Sequence, residues 1–325
     1  MKAKKIITGI ALVGAIAFTA TGCAGGGGSA GGGGDGVITV GFAQTGSESC
    51  WRSANTESMK EAFSEANGFN LIFNAADNKP EAQIAAVRSF INQGVDAIVL
   101  APIVTDGWDD VLKEAKDANI PVILEDRTVS ASEDLYASWI GLDFEKEGET
   151  AGKWVADNFG STPTNMVVLE GTTGSSAATD RATGFDSAIK GTDITVLDSQ
   201  TGNFTRADGK TVMEGFLQKY GSQINLLFAH NDDMGLGALE AIKAAGMKPG
   251  TDIKIVTIDA VKDGMTALSN GEFNYIVECN PLLGEKTAEV VKKVVAGESV
   301  DKSYIVEDQA FDQEQAKKVL DSRPY

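Results

Sequence analysis

The sequence predicts an α/β protein built from two doubly wound parallel-sheet lobes in tandem. Short β-branched runs alternate with amphipathic stretches throughout residues 37–325, which is the pattern of successive βαβ units. This stretch is long enough for one large domain or two ordinary ones. The alternation runs through two successive series, which favours two lobes.

The first series contains three strand–helix pairs and a fourth strand. Strands are predicted at VITVGFA, FNLIFNAAD, DAIVLAP and PVILED, with helices over 51–66, 80–93 and 107–118 between them. The strands of the second series are NMVVLEG, ITVLDSQ, NLLFAH, IKIVTID and NYIVECN, again with helical stretches between. Ligands of such sheets bind at the carboxyl ends of strands, so the residues that follow each strand are candidates for a site.

The N-terminus has the features of a secretion signal. Lys2, Lys4 and Lys5 precede an apolar run over 6–18. This run is too short to span a bilayer, but it suits the core of a signal peptide.

A cysteine motif, TATGC, ends this signal. It resembles a lipobox, the site where a signal peptidase cuts before a cysteine that then carries lipid. We therefore predict a lipoprotein signal peptide over 1–22 and lipidation of Cys23. Ala20 stands where lipoboxes usually have Leu, so ordinary secretion with a free Cys23 is the alternative.

The segment after Cys23, AGGGGSAGGGGDG, has the composition of a flexible coil. We predict that residues 23–36 form a lipidated cysteine and a Gly-rich tether. A phosphate-binding loop is not predicted, because no strand precedes the segment and no Gly-Lys-Ser/Thr follows it. Lipid, tether and folded body together indicate an extracytoplasmic protein anchored to the cell membrane.

The net charge argues against nucleic acid as a partner. The chain carries −18, and removal of the three signal lysines lowers this to −21. Such a charge repels nucleic acid backbones and anionic headgroups, so contact with the membrane is expected only through the lipid anchor. Cys50 and Cys279 would then remain, and because no spacing rule pairs them we predict two free thiols.

Polar side chains follow most of the predicted strands. The first lobe has GSESCWR and Asp126-Arg127, and the second has Asn231-Asp232-Asp233, Asp259 and Glu278. Carboxylates, an amide and guanidinium groups can together bind vicinal hydroxyls, so an uncharged polyol fits better than an anion. Asp233 precedes MGLGALEAIKAA and is also predicted to cap that helix.

Five blocks of sequence, in order, carry a resemblance to a known family. They are GSESCWRSANTESMKEA, AVRSFINQGVDAIVLAPIVTDGW, VLKEAKDANIPVILEDR, FAHNDDMGLGALEAIKAAGMKPGTDI and TIDA. This series resembles the type I periplasmic substrate-binding proteins of ABC sugar importers over residues 37–304. The galactofuranose-binding branch is the more similar and the ribose-binding branch the more distant.

The resemblance implies two lobes joined by three crossover strands, with a sugar bound in the cleft between them. Residues 37–142 with 281–307 would form the N-terminal lobe, and residues 143–280 with 308–325 the C-terminal lobe. The implied sugar contacts are Trp51, Arg52, Asp126, Arg127, Arg181, Phe204, Asn231, Asp259 and Glu278.

The implied roles divide between the lobes. Trp51 would stack on the sugar ring beside Arg52, and the Asp126-Arg127 pair would clamp hydroxyls from the first lobe. The second lobe would contribute an arginine, an aromatic ring and the remaining polar contacts. Glu278 stands where the ribose-binding branch has a neutral amide, which argues against ribose itself.

No catalytic or metal site is predicted. His230 is the single histidine, which excludes Ser-His-Asp and Cys-His catalysis and any His-rich metal site, and we interpret it as a structural strand-end residue. Asp232 and Asp233 are interpreted as ordering the loop and capping the next helix. GTTGSSAATDR lacks a nucleotide-binding pattern, and Trp108, Trp139 and Trp154 are read as packing residues.

The predicted function is that of a monomeric solute-binding protein without cofactor. It would capture a monosaccharide in furanose form, such as galactofuranose, fructose or a related sugar, and deliver it to ABC permease subunits. A surface sugar-sensing protein that presents its ligand to a receptor is the alternative. A transcription regulator would need a helix-turn-helix where the signal peptide stands, and an enzyme would need an acid/base or nucleophile pair.

Overall fold

Two six-stranded sheets form the framework of the protein. The structure, a computed structural model, describes residues 36–325, so the predicted signal peptide, Cys23 and the tether up to residue 35 lie outside the described residues. The twelve strands, in chain order, are β1 (Ile38–Gln44), β2 (Phe69–Ala75), β3 (Ala97–Leu100), β4 (Val122–Asp126), β5 (Ser138–Gly141), β6 (Thr164–Glu170), β7 (Ile194–Thr201), β8 (Leu226–Ala229), β9 (Lys254–Asp259), β10 (Tyr275–Glu278), β11 (Ser303–Ile305) and β12 (Ala310–Phe311).

Within residues 36–325, ten α-helices cover the faces of these sheets. They are α1 (Cys50–Ala62), α2 (Pro80–Gln93), α3 (Asp109–Asp117), α4 (Phe144–Phe159), α5 (Ser176–Ile189), α6 (Arg206–Tyr220), α7 (Asp232–Ala244), α8 (Lys262–Ser269), α9 (Gly284–Val295) and α10 (Gln313–Val319). No helix within residues 36–325 is long and apolar enough to cross a bilayer.

The strand order confirms the predicted doubly wound topology. The first sheet has the order β11-β5-β4-β3-β1-β2 and is parallel throughout. The second has the order β12-β10-β9-β8-β6-β7 and is parallel except for β12, which runs antiparallel to β10. The order reverses beside β1 and beside β6, and a ligand crevice is expected at the carboxyl ends of strands there.

The chain passes between the sheets three times. It leaves the first sheet after β5, returns to it after β10, and crosses again over 306–309 between β11 and β12. Each strand therefore lies on the side expected from the predicted lobe ranges. The ranges themselves, as bodies that move independently, stay a prediction.

The central strands are buried on both faces, as covered parallel sheets require. Every residue of β3, β4 and β8 is buried, whereas the edge strands β2 and β7 are half exposed. The sequences of β3 and β8, AIVL and LLFA, are all apolar, as burial on both faces favours, whereas β4 ends in the buried carboxyl groups of Glu125 and Asp126, which have hydrogen-bond partners.

Glycines allow the helices of the second lobe to pack closely in pairs. A Cβ on Gly184 of α5 would lie 1.9 Å from the carbonyl oxygen of Glu145 in α4. A Cβ on Gly237 of α7 would lie 2.0 Å from the carbonyl oxygen of Arg206 in α6. These contacts bring the helix backbones together and fix the positions of α5, which carries Arg181, and of α7, which Asn231 precedes.

Candidate ligand-binding site

A cavity lies between the carboxyl ends of the two sheets, and about 290 Å³ of space inside it, part of it open to solvent, is not filled by protein atoms. Eight of the nine predicted contacts line it, and each of these eight is at least nine-tenths buried. The lining residues are Glu48, Ser49, Trp51, Arg52, Asp126, Arg127, Phe144, Ala177, Arg181, Phe204, Asn231, Asp259 and Cys279.

Helix α1 presents Trp51 and Arg52 to the cavity from its first turn. Ser49 caps this helix by accepting a hydrogen bond from the Arg52 backbone N–H at 3.0 Å. The Trp51 Nε1–H donates to the carbonyl of Cys279 at 2.6 Å, which fixes the indole ring beside the second crossover. The two side chains therefore reach the cavity in fixed orientations.

The Arg52 guanidinium joins two carboxylates of the first lobe. Its Nη2 donates to Asp126 Oδ2 at 2.6 Å and its Nε donates to Glu48 Oε1 at 3.1 Å. Burial disfavours the charge, but Asp126 and Glu48 together hold the pKa of Arg52 above its ordinary value. Glu48 belongs to the motif GSESCWR but is not among the predicted site residues. Its i,i+4 spacing from Arg52 is the sequence feature that indicates a pair between the two side chains.

Glu125 lies behind this cluster as a buried third carboxyl. It accepts from Asn55 Nδ2 at 2.6 Å, and its Oε2 has no hydrogen-bond partner among residues 36–325. Burial, and then the charge of Asp126, raise its pKa to about 8. Glu125 is therefore neutral below that pH. The two arginines of this cluster, Arg52 and Arg127, are then balanced by the two carboxylates of Glu48 and Asp126.

Arg181 is the corresponding centre of the second lobe. Its Nε donates to Glu147 Oε2 at 2.7 Å, its Nη1 donates to the carbonyl of His230 at 2.6 Å, and its Nη2 lies 3.7 Å from Asp259 Oδ1. Burial raises the pKa of Asp259 well above its usual range, although the Arg181 charge opposes this. The residues at the ends of β8 and β9, His230 and Asp259, therefore both lie beside the guanidinium of Arg181.

Phe204 covers the cavity between the two lobes. Its ring centroid lies 5.1 Å from the guanidinium carbon of Arg127 in the first lobe and 5.9 Å from that of Arg181 in the second. A Cβ on Gly171 would lie 1.9 Å from this ring, so only glycine leaves the space that the ring occupies.

Three of the predicted contacts have left-handed backbone conformations. Asp126 has φ 61°, Phe204 has φ 62° and Asp259 has φ 129°. Such conformations cost about 1–3 kcal/mol each for residues other than glycine, and they concentrate at functional sites. Strain at three of the cavity's walls therefore makes this cavity the candidate functional site.

Two buried polar atoms on the cavity wall lack protein partners. Asp259 Oδ2 and Arg127 Nε are buried and accept or donate no hydrogen bond within the described part of the chain. Because an unsatisfied buried polar atom costs about 1–3 kcal/mol, a polar molecule in the cavity would stabilise the closed protein.

The motif AHNDDMGLGA is organised differently from the prediction. Asn231, not Asp233, caps α7: its side-chain oxygen accepts from the Met234 N–H at 3.0 Å while its Nδ2 donates to the carbonyl of Phe204 at 3.1 Å. Asn231 is thus both the cap and a cavity residue. The expected cap at Asp233 is wrong because the side-chain oxygen of Asn231 already satisfies the orphan N–H.

Asp232 and Asp233 serve two other contacts. Asp232 accepts from the hydroxyl of Thr257 and the N–H of Val261, which orders the loop as predicted. Asp233 reaches the other lobe, where its Oδ2 accepts from the backbone N–H of Cys50 at 2.6 Å. Its Oδ1 pairs with Arg206 at 3.1 Å, so the carboxylate is held in place for this contact.

Glu278 lies outside the cavity lining. Its Oε1 accepts from Arg323 Nη1 at 2.6 Å and from the hydroxyl of Tyr325 at 2.7 Å, and its Oε2 accepts from the N–H of Gln309 at 3.1 Å. These donors turn the carboxylate away from the cavity, which the type of residue alone could not reveal. The neighbouring Cys279 lines the cavity instead.

His230 has the structural hydrogen bond that was predicted. Its Nδ1 accepts from the N–H of Gly171 at 3.3 Å. Burial, and then the charge of Arg181, lower its pKa to about 3, so the ring is neutral. Trp108, Trp139 and Trp154 lie outside the cavity lining, as expected.

Sequence comparison decides the family. Residues 40–299 match the family described as "Periplasmic binding protein domain". The chain belongs to the periplasmic binding protein family. This match extends from within β1 to beyond β10 and includes every residue that lines the cavity, and it confirms the family that the five sequence blocks indicated.

Relatives of this periplasmic binding protein carry sugar names. A galactofuranose-binding protein of Escherichia coli is 46% identical over 260 residues, which are 79% of this chain and 81% of the relative. A fructose import binding protein of Bifidobacterium longum is 39% identical over 320 residues, 96% of each chain. A Mycobacterium smegmatis structure in complex with β-D-fucofuranose is 56% identical, covers 89% of this chain and 96% of that one, and superposes with a TM-score of 0.86.

Proposed function

We propose that this protein binds one monosaccharide in furanose form inside the cavity and delivers it unchanged to the permease of an ABC importer. The observation that carries the proposal is the closed cavity, which both lobes line with paired charges, an aromatic wall and two unsatisfied polar atoms. The sugar names of the relatives support the same ligand class.

The chemistry of the wall suits a small polyol. Asp126 offers carboxylate oxygens to hydroxyl donors, and Asp259, whose pKa is raised by burial, offers a carboxyl group that can accept from or donate to a hydroxyl. The Arg127 Nε–H offers a donor to a hydroxyl or ring oxygen. Trp51 and Phe204 supply apolar faces for the C–H side of a sugar ring. Because the arginines are already paired with carboxylates, the cavity favours a neutral ligand over an anion.

Contacts between the lobes hold the cavity closed. The Thr105 N–H donates to the carbonyl of Gly174 at 2.9 Å, and the Thr128 N–H donates to Ser176 Oγ at 3.1 Å. The hydrogen bond between the Cys50 N–H and Asp233 joins the lobes at the first residue of α1. With the cavity walls at least nine-tenths buried, a sugar enters only after the lobes separate, so a hinge motion at the three crossovers belongs to this function.

Calorimetric titration with D-fructose, D-galactose, D-fucose and L-arabinose tests this function. We expect saturable binding of at least one of these sugars at one molecule per chain, with the sugar recovered unchanged after incubation. Conversion of the sugar would support an enzyme instead, and the absence of binding to all four would contradict the proposed ligand class.

Anchoring at the membrane is a separate part of the proposal. Lipid on Cys23 would hold the extracytoplasmic protein, as a monomer without nucleic acid partners, beside its permease. We expect Cys23→Ala to release the protein into the medium. Retention of that variant in the membrane fraction would contradict the lipoprotein.

A further inference from the structure

The turn that carries Asp259 has two consecutive residues with positive φ. Asp259 has φ 129° and Ala260 has φ 63°, and both are buried at the end of β9. Residues other than glycine keep such conformations only where their surroundings hold them. The direction of the Asp259 carboxylate therefore depends on what holds this turn.

Three hydrogen bonds hold it. The Cys279 N–H donates to the carbonyl of Asp259 at 3.2 Å, and the Val261 N–H donates to Asp232 Oδ2 at 2.9 Å. The third comes from beyond the last α-helix, where Arg323 Nη2 donates to the carbonyl of Ala260 at 2.8 Å. This third bond reaches the carbonyl of Ala260, the residue that follows Asp259 in the strained turn.

Arg323 is itself fixed by a buried ion pair. Its Nη1 donates to Glu278 Oε1 at 2.6 Å, and the exposed fractions of the two side chains are 8% and 4%. The hydroxyl of Tyr325 donates to the same oxygen at 2.7 Å, and the ring of Phe311 lies 5.3 Å from the guanidinium carbon. A planar guanidinium held at one edge by a carboxylate has its second edge in a fixed direction, which a lysine would not provide.

We propose that Arg323, anchored by Glu278, is a positioning residue that orients the Asp259 carboxylate toward the sugar. Arg323 is not among the residues that line the cavity, so it acts on binding only through the Ala260 carbonyl. This inference rests on the proposed function, because it makes the contribution of Asp259 to sugar binding depend on a hydrogen bond outside the cavity.

A double-mutant cycle separates positioning from a general effect on folding. The probe is whichever of D-fructose, D-galactose, D-fucose and L-arabinose the wild-type chain binds most tightly. Arg323→Ala should weaken its binding about three- to tenfold, the range expected for one lost hydrogen bond to a buried group. In an Asp259→Asn background, Arg323→Ala should lower the affinity for the sugar by less than about twofold. In an Asp126→Asn background, it should lower the affinity by the same factor as in the wild-type chain.

Two further variants control this cycle. Lys318→Ala removes a positive charge from the exposed face of α10 and should leave the affinity unchanged. Tyr325→Phe removes only one donor to Glu278. If Arg323→Ala does not fold, Tyr325→Phe should still lower the affinity about twofold, and only where Asp259 is present.

The outcomes are distinct. Equal losses in the Asp259→Asn and Asp126→Asn backgrounds would reduce Arg323 to a structural role and overturn the inference. So would wild-type affinity in Arg323→Ala. Failure of the wild-type chain to bind any of the four sugars would overturn the proposed function, and the inference with it.

Discussion

At the scale of single residues, the buried charges explain how a site rich in carboxylates can stay folded. In the first lobe, two arginines face Glu48, Glu125 and Asp126, and the deeper carboxyl, Glu125, takes up a proton instead of remaining an unpaired ion. The cost of burying charge is thus reduced before any ligand arrives. Stability must then depend on pH.

Glu125 gives this dependence a sign. Its pKa is about 8 in the folded chain and 4.5 ordinarily, so between these values the folded chain binds more protons than the unfolded chain. Its contribution to stability is complete below about pH 4.5 and is lost as the pH rises through about 8. The unfolding free energy of the wild-type chain should therefore fall as the pH rises between these two values. We expect Glu125→Gln to make this slope less steep by up to about 1.4 kcal/mol per pH unit.

Urea unfolding at several pH values checks this expectation. The slope will not vanish in the variant, because burial also raises the pKa of Asp232 to about 7 and that of Asp308 to about 9. An unchanged slope after Glu125→Gln would show that Glu125 is ionised in the folded chain.

Asp233 offers a second test at this scale. Its carboxylate accepts from the first N–H of α1 in the other lobe, where the helix dipole favours a negative charge. We expect Asp233→Asn to weaken sugar binding about three- to tenfold by disfavouring closure. The melting temperature without sugar should change by less than about 3 °C, since this bond belongs to the closed form.

Asp263→Asn is the matched control for Asp233. Asp263 pairs with the same arginine, Arg206, at 3.0 Å, but it is exposed and lies on the second lobe only. Its substitution should leave sugar affinity within about twofold of wild type. Equal effects of the two substitutions would rule out a contact specific to closure.

The family resemblance predicted which residues line the cavity better than how they contact one another. Eight of the nine contacts that it implies line the cavity, and two of these, Arg181 and Phe204, were indicated by the resemblance alone and not by the strand-end rule. Glu278 is the exception, since its three donors come from segments distant in sequence. The exchange of roles between Asn231 and Asp233 follows from cap geometry, which adjacent polar residues in a sequence do not resolve.

At the scale of elements, close helix pairs position the second-lobe side chains. Helices α4 and α5 approach each other through Gly148 and Gly184, and the carbonyl oxygen of Arg181 would lie 2.1 Å from a Cβ on Gly148. Any change that separates the two helices would therefore move the centre of the second-lobe charge cluster.

A pair of glycine substitutions measures this packing. Gly184→Ala places a methyl group 1.9 Å from the Glu145 carbonyl oxygen, so we expect a loss of about 1–3 kcal/mol of unfolding free energy and weaker sugar binding. Gly215→Ala, on the exposed face of α6 with open space around it, should instead gain about 0.5–1 kcal/mol. Denaturant unfolding distinguishes them, and similar stability of the two variants would contradict tight α4–α5 packing.

Sequence analysis missed three of the twelve strands of residues 36–325. The other nine were predicted from their apolar runs, and the helix over 80–93 agrees with α2. β11 and β12 have three and two residues, too few for a pattern to identify, and the four residues of β5, SWIG, contain no apolar run like AIVL of β3 or LLFA of β8. The first predicted helix, 51–66, ends earlier in the structure, at Ala62.

At the scale of the whole molecule, hydrogen bonds connect the two sheets' halves across the cavity. Polar contacts join the lobes on both sides of the cavity, and the unsatisfied atoms of Asp259 and Arg127 lie between. A ligand that satisfies these atoms favours the closed form by its contacts with both lobes.

Small-angle scattering should detect this preference. Without sugar the radius of gyration should be larger than with saturating sugar, because opening at the three crossovers separates the lobes. The Asp233→Asn variant should need more sugar to reach the smaller radius. A radius that does not respond to saturating sugar would mean that the chain is closed in both states.

The most direct test of a sugar site shared by both lobes is a titration of one substitution from each lobe. Asp126→Asn changes the first lobe and Asp259→Asn the second, and Asp117→Asn, at an exposed ion pair on α3, serves as control. By isothermal titration calorimetry, we expect one sugar per wild-type chain and a loss of affinity of at least about tenfold in each of the first two variants alone. Wild-type affinity in either of them, with the sugar still bound, would contradict a site held by both lobes.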